Sequence, residues 1–132
     1  MRVFVDTSAV LALLSPTDRS HAQARDVFDR LGAAEYPLTT TSYVLVETYA
    51  LVTRRLGLKA ALAVREKIAP LLDVGWVAES LHERGLDRFI QRGSRSFSLV
   101  DAVSFEFLSD HPADAVFAFD HDFEHEGFRV LE

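Results

Sequence analysis

Short apolar runs alternate along this chain with stretches of helical period, and that alternation restricts the fold more than any other feature. Arg2–Asp6, Leu38–Thr40, Val74–Val77, Ala115–Phe119 and Phe128–Leu131 read as strands. Between them Ser8–Leu14, Arg19–Ala33, Ser42–Leu56, Leu58–Leu72, Ser80–Gln91 and Leu99–Ser109 read as helices, with stops near Gly32, Gly57, Gly93 and Pro112 and a possible earlier one at Pro70. Ala22, Val27, Phe28 and Leu31 mark the inner side of the second helix. Five strands separated mostly by helices predict an α/β fold, a three-layer α/β/α sandwich with a mainly parallel sheet covered on both faces. With no repeat, linker or low-complexity tract, 132 residues form a single domain, 1–132.

Composition narrows the chemistry. The chain is 48% hydrophobic and 26% charged, and no apolar run approaches the roughly 20 residues that span a bilayer. Met1 stands directly before the first strand with no apolar leader, so a soluble, cytoplasmic protein without a membrane partner is expected. The absence of cysteine excludes disulfides, thiolate metal sites and thiol nucleophiles. Any metal must therefore be held by oxygen or imidazole. The formal charge of −6 is uneven: Asp101 to Glu132 carries nine acids and one base, while the first hundred residues carry 13 bases and 11 acids.

The placement of the carboxylates is more telling than their number. Asp6 ends the first strand and Asp120 ends the "AVFAFD" strand, which puts both at the carboxyl edge of a parallel sheet, where ligands bind in open α/β folds. Glu47 lies within "SYVLVETYALV", with Tyr43, Val44, Ala50 and Leu51 as its helical neighbours. It thus projects from an apolar face, where an ionised carboxylate needs a partner such as Arg54 or a metal. Asp101 in "SFSLVDAVSF" repeats the pattern beside Phe97, Phe105 and Leu108, with Ser98 three residues earlier in position to cap the helix. Two carboxylates about 4 Å apart repel by roughly 4 kcal/mol at an effective dielectric of 20. If these four acids converge, a divalent cation resolves the repulsion, and oxygen-only ligation suits Mg²⁺ or Mn²⁺ better than zinc. Such sites act on phosphates, and metal-assisted phosphodiester hydrolysis is the leading chemistry.

Arginines supply what an acidic cleft lacks for such a substrate. Arg84, Arg88, Arg92 and Arg95 form one basic group and Arg54-Arg55 another; each alone reads as a solvated helix face, but beside a phosphate-cleaving site Arg54, Arg55, Arg88, Arg92 and Arg95 become candidates for holding a nucleic-acid backbone.

In order, "VDTSAVLAL", "SYVLVETYALVTRRLG", "SFSLVDAVSF" and "FAFDHDFEHEGFRVL" resemble the four acidic motifs of the PIN-domain nucleases, most closely the VapC-type ribonuclease toxins, over Arg2 to Leu131. The resemblance implies Mg²⁺- or Mn²⁺-dependent endonucleolytic cleavage of RNA, leaving a 5′-phosphate and a 3′-hydroxyl. Carried over by position, Asp6 and Asp101 match the principal metal ligands, Glu47 the second acid and Asp120 the fourth, with Asp122 able to supply or share that last role. Thr7 and Ser8 match the small hydroxyl residues that orient a water or cap the next helix. Many relatives have Thr or Ser two residues before the fourth acid, where this chain has Ala118. The resemblance further implies a homodimer and a small antitoxin protein that covers the site, and Leu11, Leu13 and Leu14 are candidates for such contacts or for the core.

Other readings are weaker. His121 and His125 have zinc-like spacing but read better as surface residues near the cleft, and Trp76 reads as core or partly buried, with base stacking as a lesser role. A haloacid-dehalogenase-type phosphotransferase needs an acid where Ser8 stands. A receiver-type domain needs paired early acids and a late lysine, yet the only lysines are Lys59 and Lys67. A PIN-like module that binds RNA or protein without cutting is the alternative from another functional class.

Overall fold

A computed structural model describes residues 1–132. Strand β1 (Val3–Val5) leads into helix α1 (Thr7–Leu14) and helix α2 (His21–Ala34). Strand β2 (Leu38–Thr41) is followed by α3 (Ser42–Leu56) and α4 (Leu58–Ala63). Then come β3 (Leu72–Gly75), α5 (Glu79–Arg92), α6 (Leu99–Asp110), β4 (Ala115–Phe117) and the short α7 (His121–His125). All pairings are parallel, in the order β3-β2-β1-β4. No helix is long and apolar enough to cross a membrane.

The α/β sandwich expected from the alternation is present, with four strands where five were expected. Phe128–Leu131 makes only a single bridge, Val130 to Val116. The reason is the length of β4. In a parallel ladder successive residues bond to opposite neighbours. At the inner edge of β4 the Phe117 carbonyl accepts from the Asp6 N–H and the Ala115 N–H donates to Arg2, so Val116 alone is left to bond outward, to Arg129 and Leu131.

Other boundaries differ as well. The third strand lies two residues earlier than expected, so Trp76 is beyond its end and 78% exposed, neither core nor partly buried. The predicted helix Leu58–Leu72 is broken into α4, a wide π turn at Val64–Ile68 and a 3₁₀ turn at Ala69–Leu71 that contains Pro70, which has no N–H for a continuing helix. On α2 the inner side is Ala24, Val27 and Leu31; Ala22 faces solvent.

Two apolar layers sandwich the sheet. Val3 and Val5 point to the side of α1 and α2, where Val10, Val27, Leu31 and Val52 are buried with them. Phe4, between them, points the other way into an aromatic layer of Phe97, Phe105, Phe107 and Phe123. Helices α5 and α6 approach so closely that a Cβ on Gly85 would lie 2.4 Å from Val103 Cγ2. Burying β1 on both faces fixes where its carboxyl end emerges, and Asp6 is the next residue.

Candidate active site

The acids reach one place because strand ends and helix starts coincide there. Asp6 leaves β1 in extended conformation and caps α1: its Oδ2 accepts from the Ser8 N–H at 3.1 Å and from the Ser8 hydroxyl at 2.7 Å. Asp120 follows β4 and caps α7, accepting from the Asp122 N–H at 2.9 Å. Ser98 caps α6 by accepting from the Asp101 N–H at 3.0 Å, and the Asp101 carboxylate makes no ion pair. Glu47 projects from the second turn of α3, half-buried, with no ion pair to Arg54 or any other cation.

Asp6, Glu47, Asp101 and Asp120 all line one cavity of about 260 Å³, together with Thr7, Ser8, Ser96 and Ser98. Asp101, Asp120 and Asp122 each place one carboxylate oxygen within 4.8 Å of the others. Asp122 therefore stands with Asp120, and both belong to the acid group. Ser96 is a lining residue that sequence reasoning missed; the one signal for it is its position just before the capped start of α6.

Two of the hydroxyls are used structurally. The Ser8 Oγ donates to Asp6 and accepts from the Phe119 N–H at 2.9 Å, so it clamps the end of β4 to the end of β1. Thr7 is turned inward, with its Oγ1 donating to the Val44 carbonyl at 3.3 Å and lying 3.1 Å from the Thr48 Oγ1, which ties α1 to α3. The cap of α1 is Asp6, not Thr7 or Ser8. Ala118 is buried in the aromatic layer.

The electrostatics are those of acids crowded without compensation. Burial raises the Asp6 carboxyl to about 6 against the two hydrogen bonds from Ser8, with Glu47 and Asp120 adding to the rise. Asp101 is raised to about 8, first by burial and then by the charges of Asp6 and Asp120, against the Ser98 hydrogen bond. Glu47 is also raised, by burial and then by Asp120, with the Thr7 hydroxyl acting in the opposite sense. Asp6 Oδ1 is buried with no hydrogen-bond partner. A buried carboxylate oxygen without a partner, on an acid that shares its cleft with further carboxylates, is what an oxygen-ligated divalent cation satisfies, so the donor set fits such an ion.

The cations are distributed unevenly. Arg88 pairs with Glu106 at 2.7 Å and Glu126 at 2.8 Å, and Arg92 pairs with Glu126 at 2.7 Å and stands 3.7 Å from Asp122. Arg54, Arg55 and Arg95 are exposed and make no ion pair. His121 and His125 are exposed and stand outside the acid cluster. Leu11 is buried, and Leu13 and Leu14 pack partly against the core.

Comparison with known proteins agrees with this geometry. The PIN domain family matches residues 3–128. The 23S rRNA-specific endonuclease VapC20 of Mycobacterium tuberculosis is 35% identical over 128 residues, spanning 96% of this chain and 95% of that protein, in strains CDC 1551 and H37Rv alike. The crystal structure of that VapC20, a sarcin-ricin loop cleaving toxin, superposes with a TM-score of 0.81 at 34% identity, over 96% of this chain and 95% of that one. VapBC2 of Rickettsia felis, bound to a DNA fragment from its promoter, shares the fold with a TM-score of 0.70 at 13% identity, over 100% and 98% of the two chains. Four acids at the carboxyl edge of a parallel sheet, in a chain matched to these proteins along almost its whole length, place it: the chain belongs to the PIN-domain family, among the VapC-type ribonuclease toxins.

Proposed function

We propose that the protein is a Mg²⁺- or Mn²⁺-dependent endoribonuclease whose substrate is ribosomal RNA. The full-length similarity to an endonuclease specific for 23S rRNA supports the target. The observation that carries the metal dependence is the buried, unpartnered Asp6 Oδ1 among acids that have no cation of the protein's own, apart from Arg92 near Asp122. Asp101, Asp120 and Asp122, whose carboxylate oxygens converge, would hold the ion together with Asp6, with Glu47 at its margin. Bound there, a divalent ion lowers the pKa of a water and offsets charge developing on the phosphate.

The chain's own groups do the rest. Ser8 fixes the Asp6 carboxylate, and Ser98 fixes the start of α6 so that Asp101 faces the cleft. Glu47 is half-buried with a raised pKa, which suits a carboxylate that accepts a proton from the attacking water. Water attacks in line as its proton passes to Glu47, the P–O3′ bond breaks, and O3′ takes a proton from solvent, so the products are a 5′-phosphate and a 3′-hydroxyl. The protein acts in the cytoplasm as a homodimer and as the toxin of a pair whose antitoxin covers this cleft. Exposed Val46 on α3 and Leu58 and Leu62 on α4 supply apolar surface for such contacts.

The test is cleavage of total RNA after chelation, with Mg²⁺ or Mn²⁺ restored, mapping of the new ends, and Asp6→Asn as control. Metal-restored cutting of 23S rRNA that Asp6→Asn abolishes is expected. No cutting of ribosomal, transfer or single-stranded RNA by the metal-loaded protein would favour the non-catalytic binding module. Cutting by Asp6→Asn at the wild-type rate would overturn the site assignment.

A further inference from the structure

The acidic cleft opens into a second cavity of about 550 Å³, with which it shares Ser8 and Leu11 as common walls. Arg19, Arg55 and Phe119 line this neighbour together with Thr17, Asp18 and Ser20. Its volume is within the range of about 300 to 1,000 Å³ typical of ligand sites. We propose that this cavity is the subsite for the RNA backbone next to the scissile bond, with Arg19 and Arg55 as its phosphate contacts; the inference rests on the ribonuclease reading above.

Charge pairing distinguishes these two arginines from the α5 group. Arg84, Arg88 and Arg92 are bound to Glu106, Asp110, Asp122 and Glu126, so their charge is already neutralised. Arg19 and Arg55 are exposed, make no ion pair or side-chain hydrogen bond, and line the cavity that shares Ser8 and Leu11 with the acidic cleft. The one acid in the cavity, Asp18, accepts from the Ser20 N–H at 2.8 Å.

The placement of Arg19 is also fixed. Its loop is closed by backbone hydrogen bonds from Asp18 to Ser15 and from His21 to Asp18, and the His21 ring is anchored on the Ala12 carbonyl at 2.8 Å. Arg55 comes from the last turn of α3, the helix that also carries Glu47. A third cavity, of about 400 Å³, also has Arg19 in its wall, but Asp120, Glu124 and Glu132 line it and repel phosphate. A backbone leaving the cleft is therefore drawn toward Arg55. The Phe119 ring in the same wall offers an apolar face for a base.

The experiment compares wild type, Arg19→Gln, Arg55→Gln and the double variant in cleavage kinetics on a ribosomal RNA stem-loop and in anisotropy binding of the labelled RNA. Arg65→Gln/Lys67→Gln, whose residues line none of these cavities, is the charge-matched control. The double variant is expected to raise KM about tenfold with kcat within about threefold, and to lower the slope of log affinity against log salt by about 1.5. Unchanged KM, affinity and salt slope would overturn the subsite. So would unchanged RNA handling with weakened antitoxin binding, which would make the cavity a protein interface. If wild type binds RNA but cuts none, and the double variant loses that binding, the subsite stands and the nuclease reading falls.

Discussion

Helix α6 carries two kinds of carboxylate, and they differ only in where the helix points them. Asp101, in its first turn, is 6% exposed, lies beside Asp6 and Asp120, and has no cationic partner. Glu106 and Asp110, further along, face α5 and are bound by Arg84 and Arg88. The second group continues to Glu126, where Arg88 and Arg92 meet, so α5, α6 and α7 are linked by a surface ladder of ion pairs. Asp122 stands at the junction, in contact with the acid cluster on one side and 3.7 Å from Arg92 on the other. Where acids join α5, α6 and α7 the chain supplies the cation; for Asp101 in the cleft it supplies none.

That contrast is broken most directly by neutralising a cleft acid. Asp101→Asn is expected to reduce RNA cleavage by about 100-fold or more, the upper range for disturbing even the outer partners of a metal site. The same substitution should raise the melting temperature in chelator near neutral pH, because it replaces a buried acid that the metal-free fold accommodates only by taking up a proton, and keeps the capping N–H. Cleavage assays and thermal unfolding in EDTA measure the two effects. A lower melting temperature in chelator would mean that the acid is already compensated within the fold.

The pH profile sharpens the same point. The folded pKa values of Asp6 and Asp101 are raised, to about 6 and about 8, above the ordinary 3.8, so the folded chain without metal holds these protons more tightly than the unfolded one. This contribution is fully present below pH about 4 and is lost as pH rises through about 6 and then about 8; each tenfold gain in proton affinity on folding is worth roughly 1.4 kcal/mol. The melting temperature in chelator should fall between about pH 4 and pH 8, and the stabilisation given by added Mn²⁺ should grow over the same window. Asp101→Asn should flatten the upper part of the curve. A wild-type curve in chelator that is flat over this window would show that the cleft does not hold these protons.

Much of this is legible in the sequence for a physical reason. An acid placed directly after an apolar strand, or on the apolar face of a helix, conflicts with its surroundings, and Asp6, Glu47, Asp101 and Asp120 each carry that mark; all four line the cleft. The helix starts are equally local, with Ser98 capping α6 as its position suggests. What escapes is non-local. Whether Phe128–Leu131 counts as a strand depends on how many outward bonds a three-residue β4 offers. The apolar flanks of Trp76 suggest a strand, yet the register of β3 against β2 ends one residue before it. The pairing of Arg88 and Arg92 depends on how α5 lies across α6 and α7, and nothing in the spacing of the arginines records that.

Between cleft and ladder in size is the effect expected at Ser8. Ser8→Ala removes both the hydroxyl that donates to Asp6 and the acceptor for the Phe119 N–H. Leaving buried partners unsatisfied costs about 1–3 kcal/mol. Divalent-metal affinity should fall by about 10-fold or more because the Asp6 carboxylate loses its orienting contact. Chemical denaturation and a metal titration followed by thermal shift read the two separately. Loss of stability with unchanged metal affinity would make Ser8 a clamp between strands only.

The smallest effect belongs to the ladder. Arg88→Gln breaks pairs with Glu106 and Glu126 and withdraws a guanidinium from above the Phe105 ring, where it lies 5.2 Å from the centroid. The Arg88 side chain is 31% exposed, so solvent screens these pairs, and about 1 kcal/mol is the expected loss. Raising the salt concentration should shrink the difference between Arg88→Gln and wild type, because screening weakens the pairs that only the wild type has. The cleft should respond to salt differently, since like charges that repel are relieved by the same ions: the chelated wild type should gain stability there. Opposite salt effects on the Arg88→Gln difference and on the chelated cleft would show that one set of acids is compensated from within and the other is not. Effects of the same sign at both would mean that the ladder, too, carries excess negative charge.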